Sequence, residues 1–166
     1  VDCIKFKSDR ICGIKIRSNN DLLHVICVYL PQAGCSIASY ETELEILSNG
    51  IQECTSEGGN VIVIGDVNAH IGKEGGPRGW GKTSKNGNSL CRFATMFNLE
   101  IIDLKCNTVG PKYTYISHWG TTSHLDHCLI SKAMIEQVIR CEVKDEEMQN
   151  PSDHLPLQIT MRVCHG

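Results

Sequence analysis

The sequence predicts an α/β fold in which packed β-sheets are flanked by helices, and three observations lead there. Short β-branched and apolar runs outnumber helical periodicities, and helices separate only some of those runs. One run, 61–65, is continuously apolar, as a strand covered on both faces must be.

Along the chain, 11–16 and 22–30 read as two strands joined by the turn "RSNND", and "PQAG" stops the second. Ser39 is the expected cap of a helix whose Tyr40, Leu44, Leu47 and Ile51 recur at helical spacing until the glycines of "SEGGN". The run 61–65 follows, then a long Gly-rich loop, "IGKEGGPRGWGKTSKNGN". Leu90, Phe93, Ala94 and Phe97 mark a second helix. "LEIIDL", "KYTYIS" and "HLDHCLIS" are strand candidates, 132–137 a short helix, and "IRCEVKD" and "LPLQITMRV" the closing strands. With no repeat and no linker, the 166 residues read as one domain, 1–166.

Composition is that of an ordinary soluble protein, 41% hydrophobic and 21% charged, with a net charge of −3. That balance neither suggests nor excludes a nucleic-acid partner, because a local basic groove or a bound cation can serve. The ten cysteines form no C-x-x-C pair and are scattered evenly. They read as reduced core filler of an intracellular protein, nuclear or cytoplasmic, Cys27 and Cys128 being examples. No apolar run could span a bilayer, so no membrane is expected. The opening "VDCIKFKSDRICGIKI" is already in strand-like alternation and reads as the middle of a domain.

"GPRGWGKT", 76–83, fits the phosphate-loop pattern letter for letter. Its context is wrong, since the strand ends earlier and Asn86-Gly87 should break any helix at once. A surface loop that binds no nucleotide phosphate is expected. Four other elements offer chemistry. In "GDVNAHIG", Asp66 and Asn68 stand two apart and so share a face at a strand end, with Gly65 letting the backbone turn. They suit either a local turn or a ligand site in which a carboxylate takes a proton or a hard cation beside an amide. In "NPSDHLPL", Asp153 and His154 can bind a metal and donate to a phosphate. Asp126, inside "SHLDHCLIS", is an acid in a strand-like run and needs a partner. Tyr29 ends a strand before a proline-fixed turn.

In this order, Tyr-x-Pro, Gly-Asp-x-Asn, Leu-Asp-His-x-Leu-x-Ser and Ser-Asp-His-x-Pro resemble the endonuclease/exonuclease/phosphatase family, and within it the endonuclease domains of LINE-type retrotransposons. The resemblance spans about 11–163 and implies a DNase-I-like sandwich of two β-sheets flanked by helices. It also implies Mg²⁺-dependent hydrolysis of DNA phosphodiesters, with Mn²⁺ as an alternative ion and a reverse transcriptase region as companion in the parent polypeptide. By the same resemblance Asp66 orients or deprotonates the attacking water, and Asn68, Tyr29 and Thr114 contact the phosphate. Asp153 and Asp66 bind the metal, His154 stabilises charge on the phosphate, and Asp126 orients a catalytic partner.

Three departures accompany it. Val67 replaces the usual Phe, Gln32 the usual Asn, and 1–10 contain no glutamate to act as the family's principal metal ligand. The expectation is a domain incomplete at its N-terminus, with exposed strand edges and apolar surface, that binds Mg²⁺ weakly and nicks DNA poorly. A non-catalytic remnant or binding module of the same fold is the alternative reading, and a phosphatase of the same family the third.

Overall fold

A computed structural model describes residues 1–18, 21–145 and 150–162. The centre of the expected first turn (19–20), the last residue of the expected final strand (163) and Cys164 lie outside the described residues.

Strands β1 (Asp2–Ile4), β2 (Ile11–Ser18) and β3 (Asp21–Tyr29) run antiparallel. Helix α1 (Ile37–Ser56) then carries the chain to β4 (Asn60–Asp66), parallel to β3, as a parallel pair requires a crossover. Helix α2 (Lys85–Met96) leads to β5 (Leu99–Ile101), which ends in a 3-10 turn at Ile102–Leu104. A small hairpin, β6 (Tyr115–Ile116) and β7 (Thr122–Ser123), precedes β8 (Asp126–Ser131). After a 3-10 helix at Lys132–Gln137, β9 (Val138–Val143) pairs with β10 (Leu157–Met161). The main sheet has the order β1-β2-β3-β4-β8-β5. The "KYTYIS" and "LEIIDL" candidates are thus shorter strands than expected, while β1 and β7 are additional ones.

Strand β4 shows why the sequence reads as it does. Val61 and Val63 point into a core shared with Tyr40, Leu44, Leu47 and Ile51 of α1 and Leu90 and Phe93 of α2. Ile62 points the other way, into a second core with Cys128, Ile130, Met134 and Cys141. Both faces are covered, hence the unbroken apolar run. The second layer, β9 and β10, packs its partly buried Val138, Leu157, Ile159 and Met161 into that second core. On β2 and β3 the corresponding face is covered at Leu23 but open toward Cys27. Cys12 and its register partner Cys27 are exposed, and Ile14 is 38% exposed. Cys27 is therefore not core filler, whereas Cys128 is.

Two helix starts differ from expectation. The α1 cap is Ser36, whose side chain accepts from Ser39 N, so Ser39 lies inside the first turn. Helix α2 begins at Lys85, capped by Ser84, and absorbs Asn86-Gly87 instead of breaking there. Tertiary contact outweighs helix propensity: a Cβ at Gly87 would meet His70 O at 2.3 Å, and the Asn86 amide is buried on two backbone carbonyls. The loop 76–83 is likewise not a free surface segment. Arg78 is buried and donates to the carbonyls of Thr108, Gly110 and Pro111, and Thr83 Oγ1 accepts from Gly72 N. Among the described residues no helix is long and apolar enough to cross a membrane.

Candidate active site

Register builds the site. Tyr29 of β3 pairs with Asp66 of β4, and Asp66 pairs with Asp126 of β8, so three adjacent strands present one residue each at the same level. Residues paired in register point to the same face. Gly65 makes the close approach possible: with φ at 145°, any Cβ would lie 2.1 Å from Val28 O. The fourth wall comes from the segment after β9. A bridge between Tyr115 and His154 ties it to β6, with Ile116 N donating to Asp153 O and Leu155 N to Thr114 O. Within that segment, Asn150 donates to His154 O and Ser152 Oγ accepts from His154 N.

The result is a cleft of about 600 Å³ lined by Tyr29, Asp66, Asn68, Asp126, Asp153 and His154 together with Gln32 and Tyr115. His154 Nδ1 lies 2.7 Å from Asp126 Oδ2, and its Nε2 is 3.9 Å from Asp66 Oδ2. Burial disfavours charge on His154, but the hydrogen bond to Asp126 and the charges of Asp126, Asp66 and Asp153 outweigh it and hold the imidazole above its ordinary value. Burial first, and the Asp126 charge second, push the Asp66 carboxyl above the usual range, against the Asn68 N–H and His154.

The turn reading and the ligand reading of Gly-Asp-x-Asn coexist. Asp66 Oδ1 accepts from Asn68 N at 3.0 Å, closing a local turn with Asn68 at φ 46°. One N–H of the Asn68 amide goes to Leu30 O, and Asn68 also lines the cleft. Thr114 does not line the cleft: it is fully buried, and its Oγ1 accepts from Leu125 N and Asp126 N. The expected phosphate contact from Thr114 is replaced by support of the strand that carries Asp126. Asp153 lines the cleft, but the compact cluster of possible metal ligands is Asp66, Asp126 and His154. Two half-buried carboxylates meeting at the end of a sheet, one of them with a raised pKa, form a setting that a divalent cation relieves.

Sequence reasoning missed three participants. Tyr115 stacks at a tilt 5.1 Å from the His154 ring. Arg10 lies over the Tyr29 ring at 5.2 Å and donates to Tyr29 O. A second acid–histidine cluster, Asp103, His124 and His127, lies wholly buried behind the site. His127 Nδ1 is 2.6 Å from Asp103 Oδ2, and its Nε2 donates to Ala69 O at 2.8 Å. The rings of His124 and His127 stack at 4.6 Å, and His124 Nε2 sits 3.0 Å from Asp103 Oδ2 in an orientation too poor for a full hydrogen bond. Both nitrogens of His127 are engaged, so that ring has none to offer a cation, whereas the two ring nitrogens of His124 have no hydrogen-bond partner among the described residues. The flanking histidines of "SHLDH" were a visible signal, but nothing local in "LEIIDL" marked Asp103.

Residues 23–158 match a family model described as endonuclease-reverse transcriptase. No curated protein matches the chain significantly. Among solved structures, the fold is similar to the endonuclease domain of TRAS1, a telomere-specific non-LTR retrotransposon, at 19% identity and TM-score 0.68, covering 97% of this chain and 67% of that one. It is also similar to the 3'-5' exonuclease NExo from Neisseria meningitidis at 18% identity and TM-score 0.73, covering 96% and 70%. A third similar structure is the AP endonuclease LMAP from Leishmania major, at 17% identity and TM-score 0.66, covering 93% and 55%. These neighbours share the DNase-I-like fold, and each is a nuclease by name.

Proposed function

Because the chain belongs to the endonuclease-reverse transcriptase family, we propose that its cleft hydrolyses DNA phosphodiesters with the help of a divalent cation. The observation that supports this most directly is His154, fixed by Asp126 at Nδ1 and presenting Nε2 to the cleft beside Asp66. Since the Asp126 carboxylate accepts, Nδ1 carries a proton, and the carboxylates around the ring favour a second proton on Nε2. Nε2–H then donates to a non-bridging phosphate oxygen and carries positive charge where negative charge develops. Tyr29, at the end of β3, and Asn68, just past the end of β4, donate to the same phosphate. Asp66, whose Oδ2 is free of the local turn, accepts hydrogen bonds from the attacking water and takes its proton.

Asp66 would hold the cation, Mg²⁺ or alternatively Mn²⁺, together with Asp153, which lines the same cleft, because Asp126, although near Asp66, is already engaged by His154. When bound, it supplies fixed positive charge at the scissile phosphate. Among the described residues that line the cleft there is no glutamate. With so few carboxylates an octahedral ion keeps most of its waters and is held loosely, so turnover by this chain is slow. The companion of the domain in its parent polypeptide is, on this reading, a reverse transcriptase region.

The test is nicking of supercoiled plasmid with Mg²⁺ or Mn²⁺ by the chain and by its His154→Ala variant, alongside calorimetric titration of the cation. Slow, metal-dependent nicking that disappears in His154→Ala supports the proposal. Nicking that survives the substitution overturns the assignment of His154. DNA binding without nicking at any metal concentration favours a non-catalytic binding module of the same fold.

A further inference from the structure

The turn that carries Asp66 and Asn68 is held from behind, one carbonyl at a time. Tyr40 OH, from α1, donates to Val67 O at 2.8 Å. Asn86 Nδ2, from α2, donates to Asn68 O at 2.9 Å. His127 Nε2, from β8, donates to Ala69 O at 2.8 Å, with the ring fixed at its other nitrogen by Asp103. None of the three lines the cleft, and all are buried. They come from three separate elements and converge on three consecutive peptide units.

That convergence is more than the fold demands. Val67 and Ala69 are fully buried, so their carbonyls need partners, but water or a strand ladder could have served. Instead each partner is a side chain, and together they hold Asn68 in a left-handed conformation that a non-glycine residue rarely adopts. Asn86 reaches further: its amide also lies 3.3 Å from Pro31 O, in the turn that follows Tyr29. One side chain thereby couples the Tyr29 turn to the Asp66 turn.

We propose that Tyr40, Asn86 and His127 are positioning residues of the hydrolytic site, clamping residues 67–69 so that Asp66 and Asn68 face His154 in a single geometry. The inference rests on the proposed hydrolytic function. A reacting group displaced by about 1 Å costs on the order of 10²-fold in rate, and each clamp guards against part of that displacement.

The experiment uses Tyr40→Phe and Asn86→Ala, singly and together, since Tyr40→Phe removes one hydroxyl and leaves the ring packed in the core. Ile51→Val, a core truncation in α1 remote from the turn, is the stability control. Plasmid nicking at saturating metal should fall about tenfold in each single variant at saturating DNA and further in the double, with KM within about twofold; Ile51→Val should lose stability without losing rate. In parallel, the Asn68 amide and the His154 ring resonances should shift or broaden in the two clamp variants and stay unchanged in Ile51→Val. Unchanged rates in the clamp variants, or a loss that merely tracks thermal stability, would overturn the proposal. If the unsubstituted chain does not nick at all, the hydrolytic reading fails, and the resonances still decide: immobile Asn68 and His154 signals would sink the clamp by themselves.

Discussion

Asp126 and His127 are neighbours in β8, yet each belongs to a different acid–histidine pair with a different use. The Asp126–His154 pair has an Oδ2–Nδ1 separation of 2.7 Å, and the Asp103–His127 pair one of 2.6 Å. Geometry does not separate them; burial does. The side chains of the first pair are 16% and 28% exposed, those of the second 0% and 0%. Burial in turn decides the fate of the other nitrogen. His127 Nε2 is committed to Ala69 O, so its ring fixes backbone, whereas His154 Nε2 faces the cleft with only Asp66 at 3.9 Å. On the proposed reading, the nitrogen left over on His154 is what makes that pair available to a substrate.

The two pairs should differ most in what they contribute to stability. His127→Ala leaves the Asp103 carboxylate buried without its main charge partner, and removing one member of a buried pair costs about 3–5 kcal/mol. Urea denaturation should show a loss of that order, while His154→Ala, at the edge of an open cleft, should change the midpoint little. Comparable losses from the two substitutions would mean that the pairs are not of two kinds.

The reverse contrast is in rate. On the proposed reading, His154→Ala removes one fixed donor from the reacting centre and should lower metal-dependent nicking on the order of 10²–10³-fold. Circular dichroism and the thermal midpoint should be unaltered. A drop of less than about tenfold at saturating metal would place His154 outside the chemistry and leave the exposed pair with no use beyond its shape.

Legibility in the sequence divides along the same line. Asp66, Asn68, Asp126, Asp153 and His154 sit in short motifs whose meaning is local: a glycine before an acid at a strand end, or an acid and a histidine between prolines. The buried pair was not legible, because Asp103 is an acid in an apolar segment whose justification lies 24 residues away in His127. Thr114 was visible as a candidate, but its burial was not, and it serves Asp126 from inside. Asn86 is deceptive for a related reason. Next to glycine it looks like a helix breaker, and only the carbonyls of Asn68 and Pro31 explain why it opens a helix instead. The α1 periodicity and the two-sided burial of β4 were legible because each is a repeat within one element. The exposure of Cys27 was not, because it depends on how far a second layer reaches across the sheet.

The two pairs should differ most subtly in how they titrate. Burial works against charge on His154, and Asp126, through its hydrogen bond and then its charge, is the largest influence raising the pKa. Replacing Asp126 by Asn keeps the shape of the side chain and removes the charge, so the His154 pKa should fall, which a proton-detected titration of the ring resonances reads directly. The shift also fixes the sign of the stability effect. A histidine whose folded pKa is raised contributes stability that is fully present below its unfolded value, near 6.5, and is lost as pH rises through the folded value. The unsubstituted chain should therefore lose a small increment of stability as pH climbs past that window, and Asp126→Asn should lack it. His127, although also raised, should not respond to this substitution in the same way, because its main partner is Asp103 and its ring is sealed from solvent. Should the His127 resonances move with those of His154, the two pairs titrate as one unit, and the division between a structural and a reactive pair would have to be redrawn as a single coupled network through β8.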